Sequence, residues 1–216
     1  MIITSDGPAG AGKSTAAKLL AQRLGFDFLD TGAMYRAVTL AALRAQIELT
    51  DQDALARLLD TLQLDLPAGC VLLNGEDITG LIRTPQITAA SGPIANSPVV
   101  RRRLVDWQRR IADGRNIVCE GRDQGTVVFP HAECKFFLVA DAAERARRRQ
   151  RDLQARGESM TFEEVLAAQE VRDARDASRA LGPMVAAADA LRLDSTSWTI
   201  EEMVARMEQE VRSRRH

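Results

Sequence analysis

The chain has 216 residues, 45% of them hydrophobic and 27% charged. That is one ordinary domain, or one domain with a small insert, long enough to bury a sizeable core and too apolar for a disordered chain. The formal net charge of −1 argues against a nucleic-acid partner, since such domains are generally net basic.

Taken in chain order, Ile2–Ser5 is a short apolar strand that runs into glycines. Lys13–Leu24 reads as a helix closed by Gly25 as its C-cap. Phe26–Leu29 is a second short strand, and Gly32–Arg44 is a helix with Met34, Val38, Ala41 and Ala42 as apolar positions. Thr50-Asp51 cap a further helix that runs to about Leu62. Leu64–Ile78 changes character: short apolar runs are broken by Pro67, Gly69 and Asn74-Gly75. Asn-Gly between apolar residues is a hairpin signal, so a small β insert is expected, followed by a loop through Ser97-Pro98. Val99–Ala112 is a basic helix with Leu104, Trp107 and Ile111 on its apolar face. Asn116–Cys119 and Cys134–Val139 are continuous apolar runs, as in the central strands of a parallel sheet. Asp141–Arg156 and Thr161–Ala180 are long polar helices separated by Gly157, Leu191-Arg192-Leu193 is a last strand, and Thr199–Arg212 is a closing helix. Strands alternating with helices imply an α/β fold with a doubly wound parallel sheet.

Three cysteines, Cys70, Cys119 and Cys134, show no CxxC spacing and form neither a disulfide framework nor a zinc site. Cys119 and Cys134 sit in apolar runs and are expected as buried thiols. The sequence starts without a basic leader and has no run of transmembrane length, so a cytoplasmic protein away from the membrane is expected. His131 reads as a surface turn residue and His216 as part of a tail.

Gly7-Pro8-Ala9-Gly10-Ala11-Gly12-Lys13-Ser14 fits G-x-x-x-x-G-K-[ST] at every fixed position, with Thr15 following. The chemistry explains the pattern. Glycines let backbone N–H groups turn inward around phosphates, and the next helix offers them its positive N-terminus. Lys13 is a point charge for the β- and γ-phosphates, and Ser14 supplies a hydroxyl for Mg²⁺. The motif alone does not separate kinases from GTPases and ATPases. A GTPase would carry an Asn-Lys-x-Asp base-reading motif, and the sequence has none.

On the acceptor side, Asp30-Thr31-Gly32-Ala33-Met34-Tyr35-Arg36 follows the second strand, and a phosphate could rest there on Thr31 and Arg36. Spacing alone fits a solvated Arg36 equally well. Glu120-Gly121-Arg122-Asp123-Gln124-Gly125-Thr126 follows an apolar strand, at the carboxyl end where open α/β sheets bind ligands. Glu120 there could hold Mg²⁺ through a water. On a helix, Arg172, Arg175, Asp176 and Arg179 share one face, which fits a ligand site or a salt-bridged surface. Arg145, Arg147, Arg148, Arg149 and Arg151 wrap around their helix. Most are expected to face solvent, with Arg148 or Arg149 as candidates for a lid.

These pieces together resemble the bacterial cytidylate kinase family of nucleoside monophosphate kinases. The resemblance rests on the phosphate loop, the Asp30–Arg36 block, Gly75-Glu76-Asp77-Ile78 leading to Ile82-Arg83-Thr84, the block from Glu120 to Pro130, and Arg172-Asp173-Ala174-Arg175-Asp176, all in family order. It implies ATP-dependent phosphorylation of CMP and dCMP with Mg²⁺ by a monomer. It also implies a core at 1–62, 99–144 and 159–216, an acceptor-binding insert at 63–98 and a helical lid at 145–158. Carried over, Lys13, Arg122 and Arg179 are catalytic, and Gly7 through Thr15 with Arg149 meet ATP. Arg101 and Asp123 meet cytosine, Arg172 and Asp176 the sugar, and Arg36, Arg122 and Arg179 the CMP phosphate, with Thr31 and Tyr35 alongside. The family's base-contacting serine falls on Gly92, and Ser91 lies one residue earlier, so either the loop shifts or that contact is lost. A P-loop kinase for UMP, AMP or another small acceptor, and a nucleotide-binding switch without turnover, are the rival readings.

Overall fold

The computed structural model describes residues 1–67, 69–155 and 157–214; Arg156, at the end of the expected lid helix, and His216 lie outside them. The chain forms two compact units, Met1–Phe28 with Gly114–His216, and Leu29–Asp113.

The first unit is built on parallel strands. β1 (Ile2–Asp6) leads through the glycine loop into α1 (Lys13–Leu24), and β2 (Asp27–Asp30) begins the passage to the second unit. After the second unit, β6 (Ile117–Glu120), β7 (Cys134–Val139), α6 (Ala142–Gln154), α7 (Phe162–Ala177), β8 (Leu191–Asp194) and α8 (Ile200–Ser213) complete the unit. The strand order is β2-β6-β1-β7-β8. β1 lies at the centre, parallel to β6 (Thr4 opposite Cys119) and to β7 (Ser5 opposite Phe136), and β8 continues parallel beyond β7. Because β1, β6, β7 and β8 run parallel, the loops after them all emerge at one edge. That edge is where an open α/β sheet binds ligands.

Fully apolar strands suit a sheet covered by helices. Ile3, Val118, Phe136 and Leu138 pack with Ala16, Ala17 and Leu20 of α1 and Val204 and Met207 of α8, all without solvent exposure. Removing each large side chain from water contributes roughly 1.5–3 kcal/mol. Cys119 and Cys134 are buried thiols as expected, Cys70 is exposed, and His131 lies exposed in a turn.

α7 starts at a capping box, in which Thr161 and Glu164 bond each other's backbone. It stops at Ala177, short of the expected Ala180. The Asp176 carbonyl accepts from the Met184 N–H at 2.9 Å instead of continuing the helical ladder. Arg179 therefore lies beyond the helix rather than on its face, a correction to the sequence reading.

The second unit holds α2 (Thr31–Arg44), α3 (Gln52–Thr61), three two-residue strands β3 (Leu64–Asp65), β4 (Leu72–Leu73) and β5 (Glu76–Asp77), then α4 (Pro85–Asn96) and α5 (Pro98–Ala112). The strands form an antiparallel β3-β4-β5 sheet. Asn74 and Gly75 both have positive φ (50° and 84°), the two-residue turn that the Asn-Gly signal predicts.

The expected loop up to Ser97-Pro98 is instead a short 3₁₀ turn, Leu81–Arg83, followed by α4. Ser91-Gly92-Pro93 reads as punctuation, but packing overrides it. Thr84 caps α4, Pro85 occupies the first turn, and Ile87 joins a buried cluster with Ala33, Ala37, Ile78 and Ile82. On α5 the buried stripe is Val100, Arg101, Leu104, Val105, Gln108 and Ala112. Trp107 and Ile111 sit half-buried at its margin, so the expected apolar face is rotated.

Candidate active site

The glycine loop is shaped from outside. Gly7 has φ +132°, and a Cβ there would stand 2.0 Å from the Leu138 carbonyl oxygen, so only glycine lets the loop leave β1 this close to β7. Three loop carbonyls each accept a side-chain donor. Lys13 Nζ donates to Pro8 at 2.8 Å, Arg145 Nη1 to Ala9 at 3.0 Å, and Ser195 Oγ to Ala11 at 3.1 Å. Gly10 and Gly12 also take positive φ, and α1 begins at Lys13 with Ser14 and Thr15 exposed in its first turn. The positive helix end and the loop amides are the elements of a phosphate site.

Lys13 is buried and lies 3.7 Å from Glu120, itself buried at the end of β6. Burial, and then the Arg122 guanidinium, lower the Lys13 pKa, with Glu120 opposing them. An arriving polyanion would favour the charged amine. Ser14 Oγ makes no hydrogen bond among the described residues. This hydroxyl and the Glu120 carboxylate are hard oxygen donors of the kind Mg²⁺ uses beside phosphate oxygens. Among the described residues no group of three or more His, Cys, Asp or Glu side chains forms a protein-only metal cage.

One carboxylate organises the arginines of this unit. Asp176 is almost fully buried and lies 3.1 Å from Arg122 Nε, 2.5 Å from Arg179 Nη2, 3.6 Å from Arg175 and 3.9 Å from Arg172. Burial acts to raise its pKa, but Arg122, Arg179 and Arg172 outweigh burial and hold the carboxyl below its ordinary range. A single negative charge among these guanidinium groups leaves a surplus of positive charge suited to an anion. The Nε of Arg175 is buried and has no hydrogen-bond partner among the described residues. Asp123 is buried in the loop after β6.

In the second unit, Asp30 caps α2 by accepting from the Ala33 N–H at 2.8 Å and also holds Arg36 at 3.3 Å. The Arg36 Nε lacks a hydrogen-bond partner among the described residues. Thr31 is buried at the helix start, and buried Arg101 on α5 donates to the Tyr35 hydroxyl at 3.4 Å. Ser91 and Gly92 occupy successive positions of α4. The Ser91 hydroxyl donates to the Thr88 carbonyl at 2.8 Å, and Gly92 is buried. Successive helical positions differ by about 100°, so Ser91 does not present its hydroxyl where a residue at position 92 would.

The five arginines of α6 divide. Arg147 and Arg151 are exposed as expected, but Arg145 is buried, bonding Ala140, Ala9 and Asp173. Arg148 is engaged with Ser195, Thr196 and Glu144. Arg149 is half-buried and makes no ion pair among the described residues. The sequence reading missed Arg145, Ser195 and Asp6. For Asp6 a signal existed: an acid closing an apolar strand at the ligand edge. For Arg145, arginines spread around a whole helix gave none.

The family model for cytidylate kinase matches residues 3–213 of the chain. The cytidylate kinase of Rhodopirellula baltica is 50% identical over 203 residues, covering 94% of this chain and 89% of that protein. The cytidylate kinase of Pasteurella multocida is 47% identical over 209 residues, with coverage of 95% and 92%. Among solved structures, shikimate kinase from Bacteroides thetaiotaomicron superposes with a TM-score of 0.50 at 15% identity over 98% of each chain, a likeness of fold. A match that runs through the glycine loop, the Glu120–Thr126 segment and the Asp176 cluster alike makes the chain a member of the cytidylate kinase family.

Proposed function

We propose that the chain transfers the γ-phosphoryl group of ATP to CMP and dCMP, giving ADP with CDP or dCDP. The observation that carries this reading is the family match over residues 3–213, which includes both the glycine loop and the Asp176 arginine cluster.

Phosphoryl transfer requires little covalent help from a protein, and positioning with charge neutralisation supplies most of the rate. Gly7 through Thr15 hold the ATP phosphates, Lys13 neutralises charge on the migrating group, and Arg149 adds a lid contact. Arg36, Arg122 and Arg179 take the CMP phosphate, with Thr31 and Tyr35 alongside. Arg172 and Asp176 take the sugar. Asp123 and Arg101 read cytosine, with the Ser91–Gly92 turn of α4 near the base. Ser14, and Glu120 through a water, would hold Mg²⁺, which when bound neutralises β- and γ-phosphate oxygens. No nucleophilic side chain and no general base enter the scheme. The insert at 63–98 and the lid at 145–158, set against a core of 1–62, 99–144 and 159–216, close over bound nucleotides to exclude water, since an open site would hydrolyse ATP.

Among the described residues no helix is long and apolar enough to cross a membrane. The reading is completed by a cytoplasmic monomer whose partners are these small molecules, with no nucleic acid and no membrane. Incubation with ATP, Mg²⁺ and CMP tests it: CDP and ADP should form one for one. ADP formed with inorganic phosphate, and no CDP, would contradict it.

A further inference from the structure

Asp6 closes β1 immediately before the glycine loop, yet its carboxylate is turned to a different segment. It is 4% exposed. Its Oδ1 accepts the Gln124 N–H at 2.9 Å and its Oδ2 accepts the Gly125 N–H at 2.8 Å. A buried carboxylate is costly unless hydrogen-bonded. Burial pushes this one up to about 7, while the two N–H donors act to lower it.

The position of those two amides gives the contact its meaning. The β1–β6 ladder ends where Ser5 pairs with Glu120, and the Gly121 N–H still reaches the Ser5 carbonyl at 3.1 Å. Beyond Gly121 the chain leaves the ladder and carries Arg122 and Asp123. Asp6 catches it again at Gln124 and Gly125. The turn that follows closes on the same point, with the Val127 N–H donating to the Asp123 carbonyl at 2.9 Å. Arg122 and Asp123 are thus presented between two fixed points, both supplied by the last two residues of β1. Packing seals the second point. A Cβ on Gly125 would stand 2.9 Å from Thr4 Oγ1, 3.2 Å from Lys135 Cδ and 3.4 Å from Asp6 Oδ2.

We infer that Asp6 is a positioning residue for the acceptor-reading segment. Through the Gln124 and Gly125 amides it sets where Arg122 and Asp123 stand, from the same strand end that launches the phosphate loop. The inference rests on the proposed roles of Arg122 and Asp123 toward CMP. Both carboxylate oxygens are used, so a carboxylate is required and an amide is not equivalent. In Asp6→Asn one oxygen becomes an NH₂ donor facing an N–H donor, and one amide loses its acceptor.

Asp6→Asn, Gly125→Ala and the double variant test this. Three quantities are measured: KM and kcat for CMP and UMP, the affinity for a non-hydrolysable ATP analogue without acceptor, and hydrogen exchange at the Gln124 and Gly125 amides. Losing one buried acceptor should raise the CMP KM by about tenfold or more, narrow the CMP/UMP ratio and speed exchange at both amides. In Gly125→Ala, which leaves the Asp6 charge in place beside Lys13, affinity for the ATP analogue should change by less than about threefold; in Asp6→Asn, where Lys13 loses a neighbouring negative charge, it should change less than the CMP KM does. Gly125→Ala should shift the same quantities in the same direction, and the double variant should be no worse than the poorer single one, the mark of a shared contact. If Asp6→Asn fails to fold, Gly125→Ala carries the same readouts. An equal loss of ATP-analogue and CMP affinity in Gly125→Ala overturns the inference, as does faster exchange with CMP kinetics unchanged, or additive effects in the double variant. Failure of the underlying reading looks different: the wild-type protein would turn over no CMP.

Discussion

Arg145 of α6 donates from Nη1 to the Ala9 carbonyl at 3.0 Å, so an arginine far along the chain braces the glycine loop. The same Nη1 lies 2.5 Å from Asp173 on α7, three residues before Asp176. Arg145→Lys keeps the charge but loses the forked geometry. Hydrogen bonds to charged groups contribute about 1.5–3 kcal/mol, so ATP affinity should fall by roughly tenfold or more in Arg145→Lys and further in Arg145→Ala. Titration with an ATP analogue checks this. A lowered melting temperature with unchanged ATP affinity would mean that Arg145 only supports the fold.

Lys13→Ala should abolish transfer with a modest effect on folding. The buried amine sits among Glu120, the Pro8 carbonyl and the Arg122 charge, and its removal relieves a desolvated cation, leaves Glu120 without that neighbour, and takes away the charge proposed to meet the γ-phosphoryl group. Turnover beside a thermal melt decides it. Near-normal turnover in a folded variant would remove the glycine loop from the mechanism.

Much of this was legible in the sequence for physical reasons. The glycine loop has a fixed spacing because backbone must wrap phosphates, and Asn74-Gly75 announced its turn because few residues accept positive φ twice in succession. α4 was not legible, because Ser91-Gly92-Pro93 disfavours a helix locally and only burial of Ile87 and Ile94 against the rest of the unit overrides that preference. Nor was the ending of α7: the arginine pattern continues to Arg179, and only the Met184-to-Asp176 backbone bond shows where the chain turns. Charge partners were the least legible. The position of Arg145 on α6 does not reveal that its target lies at Ala9, far back in the chain.

Asp123→Asn should lower CMP turnover and narrow the gap between CMP and UMP. Cytosine presents an amine donor beside its N3 acceptor, and uracil presents an oxygen beside an N3–H donor. A carboxylate pairs with the amine but faces uracil's oxygen without a proton between them, and a buried mismatch of that kind discriminates strongly. The asparagine amide can rotate to donate to that oxygen. The ratio of kcat/KM for the two substrates is the readout, and an unchanged ratio would mean that Asp123 does not read the base.

The Asp176 cluster predicts a pH dependence with a definite sign. The arginines hold the folded-state pKa of this carboxyl below its ordinary value near 3.8. The folded state therefore binds fewer protons than the unfolded one, and the stabilisation is complete above the unfolded value and lost as pH falls through the folded one. Wild type should exceed Asp176→Asn in denaturation midpoint at pH 7, and the difference should shrink below about pH 4. A difference that stays constant from pH 7 to pH 3 would contradict the ion-pair account.

The most direct test of the whole account is kcat/KM measured with ATP and Mg²⁺ against a panel of CMP, dCMP, UMP and AMP. CMP and dCMP should both be phosphorylated and should exceed UMP and AMP by orders of magnitude, because a carboxylate that selects the cytosine amine leaves the other bases mispaired. Equal turnover of UMP or AMP, or ATP hydrolysis without transfer to any monophosphate, would contradict it.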